Sequence, residues 1–316
     1  MIVTLTANPS IDRTMALGRP LERGGVVSAA SVTDEPGGKG VNVARVLSLA
    51  GAAATAVLPA DAGDPLLAGL SAAGVQPVPV PVGRAARVNI TITEPDGTTT
   101  KVNDAGRPLP AKVLDALGDR LLEASLPGGW VVLAGSLPPG VPEDWYAVLT
   151  ERLQSAGRRV AVDTSGRPLT ETVRRSGRRP DLLKPNADEL ASLTGDDPAQ
   201  LEGDVRRAEQ AARRLVSEGV GAILLTLGAS GALLVTAEGT WQATPPRIRV
   251  RSTVGAGDSS LAGYLLAEDR GADAPTCLSE AVAFGAAAAS LPGSTMPRES
   301  DLDRDGVVVS AFDAAR

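Results

Sequence analysis

The chain has 316 residues, 43% of them apolar and 22% charged, with a net charge of −6. It holds no histidine and a single cysteine, Cys277, which excludes a Ser-His-Asp triad, an internal disulfide and a cysteine-based zinc site. Aromatic residues make up only 2% and Arg pairs such as Arg158-Arg159 and Arg213-Arg214 are dispersed, so nucleic acid is not an expected partner. No stretch nears the length of a membrane span, and the start MIVTLTANPS lacks the basic and long apolar regions of a signal peptide. A cytoplasmic protein is expected.

In chain order, strand-like runs fall at residues 2–5, 55–58, 130–133, 160–163, 182–184 and 222–227. Most are continuously apolar, as expected for strands covered on both faces. Amphipathic helical stretches lie between them, among them 39–50, 205–217 and 258–268, and the alternation predicts an α/β fold with a mostly parallel central sheet flanked by helices. Two segments break the rhythm, about 12–34 and 87–103. In the second, VNITITEP, a Pro95-Asp96-Gly97 turn and TTTKV read as a hairpin, with Ile90 and Ile92 on one face and Thr91 and Thr93 on the other. Together they predict a small β-structured lid on a single domain of residues 1–316, and its apolar face predicts a homodimer through the lids. Cys277 reads as a core residue near a helix start, and the tail after Asp301 as surface or weakly ordered.

Four segments carry candidate chemistry. EPGGKGVNVAR at 35–45 is a Gly-rich turn into a helix with Lys39, one of only four lysines among 31 basic residues, and with a polar Asn42 one turn into an apolar helix. It is neither a Walker A loop nor a complete dinucleotide fingerprint, which argues against a dinucleotide-dependent oxidoreductase. In RSTVGAGDSSLAGYL at 251–265, small residues precede a helix whose free amides would favour an anion. Asp258 there reads either as an N-cap or as a carboxylate, ionised at neutral pH, that accepts a proton from an attacking hydroxyl. LLKPNADEL at 182–190 places Lys184 at a strand end and spaces Asn186 and Glu189 either as a capping box or as ligands to the water shell of Mg²⁺. TLGASGALLV at 226–235 is a strand, a Gly-bracketed turn and a second strand, open to backbone contact with a nucleotide.

Taken together, GGKGVNVAR, AGSLPPGVP, KPNADEL and STVGAGDSSLAGYL, with NPSID near the start, resemble the ribokinase-like sugar kinases of the phosphofructokinase B family over nearly the whole chain. The NPSID and GGKG forms are similar to its phosphosugar branch. The resemblance implies a ribokinase-like fold and transfer of a phosphoryl group from ATP, with Mg²⁺, to a ketohexose phosphate. Fructose 1-phosphate is the expected substrate, tagatose 6-phosphate and fructose 6-phosphate are the alternatives, and a non-catalytic sugar-phosphate or nucleotide sensor is the alternative of another class. It implies Asp258 as base, with Gly255, Ala256 and Gly257 as anion hole. Asp12, Gly38, Lys39, Asn42, Arg87, Asn89, Lys101 and Ser136 are implied on the sugar-phosphate side. Lys184, Asn186, Glu189, Thr226, Leu227, Gly228, Ala229, Ser230, Gly231, Gly257 and Ser290 are implied on the nucleotide side, Asn186 and Glu189 acting on Mg²⁺ through water. Phosphoryl transfer suits a histidine-free chain, because it needs aligned groups and charge neutralisation more than covalent help.

Overall fold

The computed structural model describes residues 1–312. Its strands in chain order are β1 (Ile2–Thr6), β2 (Ser10–Leu17), β3 (Ala29–Gly37), β4 (Ala54–Pro59), β5 (Gln76–Val80), β6 (Arg87–Thr93), β7 (Thr99–Val102), β8 (Trp130–Ala134), β9 (Arg159–Asp163), β10 (Leu182–Leu183), β11 (Ala222–Thr226), β12 (Ala232–Thr236), β13 (Thr240–Thr244) and β14 (Val308–Ala311). The helices are α1 (Lys39–Leu49), α2 (Pro65–Ala72), α3 (Ala111–Ala124), α4 (Trp145–Ser155), α5 (Gly166–Arg174), α6 (Ala187–Thr194), α7 (Pro198–Gly203), α8 (Val205–Ser217), α9 (Ala256–Asp269) and α10 (Ala274–Ser290).

Ten strands form one sheet in the order β14-β13-β12-β11-β10-β9-β8-β1-β4-β5, parallel from β5 to β11 and antiparallel beyond. Its strands are apolar throughout because each feeds both faces. On β8, Val132 and Ala134 join the layer of α1, α9 and α10, while Val131 and Leu133 join that of α3, α4 and α8. The predicted α/β class holds, and among the described residues no helix is long and apolar enough to cross a membrane. Cys277 lies buried in α10 as expected.

Three differences have local causes. QPVPV contains two prolines and gave no strand signal, yet it forms β5 at the sheet edge, where a missing N–H breaks no ladder. The tail after Asp301, expected to be surface or weakly ordered, is exposed at Val308, Ser310 and Ala311 yet forms a regular strand, β14, which closes the other edge on β13; residues 313–316 lie outside the described part. The helix expected from Asp258 starts earlier, at Ala256, because Gly255 and not Asp258 is its cap.

The segments that broke the rhythm form a separate four-stranded sheet, β3-β2-β6-β7, with the expected hairpin as β6 and β7. Paired residues share a face, so Asp12, Asn89, Thr91 and Lys101 lie on one side. Ile11, Val88, Ile90, Val102 and Val32 lie on the other, interrupted by an Arg13–Asp34 ion pair of 2.6 Å.

Candidate active site

Chain order builds the site. β4 and β5 lie on one side of β1, whereas β8 to β11 lie on the other, so the order reverses between β1 and β8. Crevices open at the carboxyl ends of strands at such a reversal. There β1 leads to Asn8, β8 to Ser136, β9 ends at Asp163 and β10 leads directly to Lys184.

Two helices point their N-termini into this crevice. α1 is capped by Gly38 (φ 114°) and α9 by Gly255 (φ 74°), neither with a side-chain cap bond. Glycine is required at both positions because other residues rarely adopt these left-handed conformations. The first amides of each helix lack intrahelical acceptors and carry the positive end of the helix dipole. Asp258 stands in the first turn of α9, and its Oδ2 accepts a hydrogen bond of 2.8 Å from Asn42 Nδ2 of α1, both groups being buried. The carboxylate is therefore not a helix cap; it joins the two helix starts.

Beside it lies an ionic cluster, buried at Asp163 and Lys184 and partly exposed at Lys39. Asp163 Oδ1 accepts from Lys39 Nζ at 2.6 Å, and Asp163 Oδ2, which has no hydrogen bond, faces Lys184 Nζ at 3.1 Å. A Cβ placed on Gly257 would stand 3.2 Å from Lys184 Nζ, so this ammonium abuts the start of α9 and would have to give by a few tenths of an ångström to admit a side chain there. Burial and the nearby Asp163 push the Asp258 carboxyl up to about 6, against the pull of Lys39, the Asn42 hydrogen bond and Lys184. Burial would also raise Asp163, but Lys184 and Lys39 outweigh it and hold that carboxyl below its usual range. Burial works against the charge on Lys39, yet Asp163, Glu189 and Asp258 keep its ammonium firmly protonated. Asp258 is thus a raised carboxyl, pushed up by burial beside a second carboxylate, and at neutral pH it is still mostly ionised, as the sequence reading expects.

On one side of this centre the polar face of the small sheet supplies hydroxyl-matching groups. Asp12 Oδ1 accepts from Ser10 Oγ at 2.7 Å and from Asn89 Nδ2 at 2.9 Å, leaving the buried Asn89 Oδ1 without a partner among the described residues. The Asp12 carboxylate packs on Gly37, where any Cβ would stand 2.3 Å away. Arg87 donates to the carbonyls of Asn8 and Asp104, Ser136 Oγ lies 3.5 Å from Asn8 Nδ2, and Lys101 is exposed on β7. Arg87 also lines a cavity of about 300 Å³ together with Arg84, Arg107 and Asp104.

On the other side a cavity of about 570 Å³ runs from Ala256 and Gly257 along Thr226, Gly228, Ala229 and Gly231, and reaches Asn186. Its far wall is apolar, from Ile248, Val282 and Ala286. A polar end at helix amides and an apolar wall suit a nucleotide, phosphates inward and base outward. Leu227 is buried in the core, Ser230 is exposed outside the lining, and Ser290 Oγ back-bonds to Ala287 O at 2.8 Å, so Gly285, Ala286 and Ala289 form that wall where Ser290 was expected. Asn186 and Glu189 do form a capping box on α6, with bonds of 2.8 and 2.9 Å. The cap uses Asn186 Oδ1 and Glu189 Oε2; Glu189 Oε1 faces inward, 3.9 Å from Lys39 Nζ.

Sequence reasoning missed Asp163, Asn8, Arg84 and Arg107. An acidic residue closing an apolar strand of a parallel sheet, as in RVAVD, is a signal that could have found Asp163.

Residues 5–301 match the description pfkB family carbohydrate kinase. The chain is 37% identical over 290 residues to a 1-phosphofructokinase of Xanthomonas campestris pv. campestris, covering 89% of each. It is 34% identical over 293 residues to the ATP-dependent 6-phosphofructokinase isozyme 2 of Escherichia coli, covering 92% of this chain and 91% of that protein. The crystal structure of phosphofructokinase-2 from Escherichia coli in complex with potassium superposes with a TM-score of 0.88 at 30% identity, covering 95% of this chain and 96% of the other. With the motifs, the doubly flanked sheet and the site in agreement, the chain belongs to the pfkB family of carbohydrate kinases.

Proposed function

We propose that the protein transfers the γ-phosphoryl group of ATP to fructose 1-phosphate, giving fructose 1,6-bisphosphate and ADP. The observation that carries this reading is a buried carboxylate, Asp258, set beside the free amides of α9 between a nucleotide-sized cavity and a polar sheet face. Asp12, Gly38, Asn42, Arg87, Asn89, Lys101 and Ser136 hold the sugar phosphate, and Lys39 stands where the sugar side meets the centre. Thr226, Gly228, Ala229, Gly231 and Lys184 hold the nucleotide. The sugar hydroxyl oxygen forms a bond to the γ-phosphorus while the bond to the β,γ-bridging oxygen breaks, its electron pair leaving with ADP; the hydroxyl proton goes to Asp258. The amides at Gly255, Ala256 and Gly257 meet the charge that develops on the phosphoryl oxygens.

Mg²⁺ fits these residues. Among the described residues no group of three or more acidic, His or Cys side chains gathers to cage a metal, whereas one inward Glu189 oxygen beside Asn186 suits an ion that keeps most of its waters. When bound it would neutralise nucleotide phosphate charge. The small sheet acts as the lid of a single domain, and its apolar face is the dimer contact with a second copy. A cytoplasmic location goes with this reading.

Fructose 6-phosphate is the second reading, favoured by the relative from Escherichia coli; tagatose 6-phosphate would use the same chemistry. ADP formation from Mg·ATP with fructose 1-phosphate, fructose 6-phosphate, tagatose 6-phosphate and free fructose tests the choice. The highest kcat/KM falls to fructose 1-phosphate; preference for a 6-phosphate overturns the substrate, and no turnover with any brings a sensor role forward.

A further inference from the structure

The connection from β13 to α9 carries three cations in alternation. Arg247, Arg249 and Arg251 are exposed, with Ile248 and Val250 between them. Among the described residues none of the three makes a hydrogen bond or an ion pair. Two antiparallel steps, β11 to β12 and β12 to β13, leave β13 running in the direction of β11. The connection therefore leaves β13 at the carboxyl ends of the parallel strands and crosses that end of the sheet to reach Ala256 at the start of α9. Arg247, just past Thr244, stands at the β13 end of this crossing, whereas Asp258 stands at the other.

Of the three arginines only Arg247 lines the cavity of about 570 Å³, beside Ile248 and Val250. It is the one charged side chain in that lining among the described residues, with no carboxylate to neutralise it and no Phe, Tyr or Trp beside it. A base set in this cavity rests one face on the apolar wall of Val282 and Ala286, and nothing aromatic is present to cover the other. The planar side chains of the lining are the Arg247 guanidinium and the Asn186 amide, and Asn186 is already engaged, its Oδ1 accepting from the Glu189 backbone N–H at 2.8 Å. A guanidinium is flat, permanently charged and weakly hydrated, so it stacks on aromatic faces where an ammonium acts as a point charge. The free amides that suit the phosphates lie at Ala256 and Gly257, the far end of the crossing, which leaves Arg247 for the base.

We propose that Arg247 is a specificity-determining residue for the nucleotide, its guanidinium lying on the exposed face of a purine base and closing the open side of the cavity. The assignment rests on the nucleotide reading of this cavity given above and deepens it. Stacking reads the face of a ring and not its edge, so Arg247 favours purines, with their larger face, over pyrimidines and treats adenine and guanine alike. An edge contact would behave differently, because a guanidinium pairs with the two acceptors O6 and N7 of guanine but meets an amino donor on adenine.

The test is calorimetric titration of Mg·ADP, Mg·GDP, Mg·CDP and Mg·UDP into the parent, Arg247→Met and Arg249→Met, without sugar. The four ligands share one diphosphate, so differences among them report the base. Methionine keeps much of the aliphatic stem and removes the plane and the charge, and a thermal melt within a few degrees of the parent establishes that each variant folds. A cation on an aromatic face contributes about 2- to 30-fold in affinity. Arg247→Met should therefore weaken ADP and GDP by about fivefold or more, to the same extent within about twofold, and leave CDP and UDP within about twofold of the parent. Arg249→Met, outside the lining, should leave all four within about twofold. Unchanged affinities in Arg247→Met overturn the assignment. An equal loss for all four ligands also overturns it, because Arg247 would then act on the diphosphate charge, and a loss confined to GDP overturns it in favour of an edge contact. Binding is read without sugar phosphate, so failure of the kinase reading shows as absent turnover in the parent, whereas failure of the Arg247 assignment shows only in the affinities of the variant.

Discussion

Replacing Asn42 with Ala should move the acid limb of activity toward higher pH. The Asn42 Nδ2 donor sits 2.8 Å from Asp258 Oδ2 and favours the ionised carboxyl, whose pKa burial and Asp163 have already raised to about 6. Hydrogen bonds to charged groups contribute about 1.5–3 kcal/mol, and about 1.4 kcal/mol corresponds to one pKa unit, so losing the donor should raise Asp258 by about one unit or more. Water entering the vacated space recovers part of the bond, which places the shift at the lower end. At pH 7 about nine-tenths of the parent enzyme carries an ionised base, and about half of the variant does. The assay is kcat/KM from acid to mildly alkaline pH, with ADP quantified after quenching so that no coupling enzyme adds its own profile. The phosphate of the sugar titrates with a pKa near 6 as well, but equally in both enzymes, so it cancels in the difference. Lys39, Lys184 and Asp163 also face the carboxyl and are unchanged by the substitution. A limb that stays in place, or moves to lower pH, would refute the Asn42–Asp258 pairing as the device that keeps the base ionised.

Two further outcomes follow from the same structure. The Asp258 carboxyl has a folded pKa of about 6 against its usual 3.8, so the native state binds more protons than the unfolded chain across that window and its stability falls as pH rises through it. Asp258→Asn removes this liability and should stabilise the protein at pH 7 by up to about 3 kcal/mol, read as a melting temperature several degrees higher; a lower one would contradict the burial argument. Val102→Asp places a charge on the apolar face of the small sheet, where Val102 is 56% exposed, and light scattering after gel filtration should show a parent dimer, as proposed, and a monomeric variant. A variant as dimeric as its parent would place the contact elsewhere.

Asn42 was legible from sequence because a polar residue amid an apolar helical face has to be paired, and Asp258 because small residues ahead of a helix mark an exposed N-terminus. The hairpin of β6 and β7 announced itself through alternation and a Pro-Asp-Gly turn. Asp163 was hidden. Alone it reads as the polar end of a strand, and its meaning depends on Lys39, 124 positions away, reaching the same point in space. Ser290 failed for the opposite reason: its place in the chain suggested the cavity, but at the end of α10 its hydroxyl finds a carbonyl of its own helix. For Asn186 and Glu189 the capping-box reading of the spacing is seen in the structure; it uses two oxygens and leaves a third, on Glu189, facing the centre.

The most direct test is ³¹P NMR of the products formed from Mg·ATP and fructose 1-phosphate by the parent enzyme and by Asp258→Asn at equal concentration. A new sugar phosphate resonance from fructose 1,6-bisphosphate, growing in step with ADP in the parent and slower by orders of magnitude in the variant, is the predicted result. Equal rates in the two would remove Asp258 as the base, and ADP accompanied only by inorganic phosphate would mean that water, not the sugar, receives the phosphoryl group.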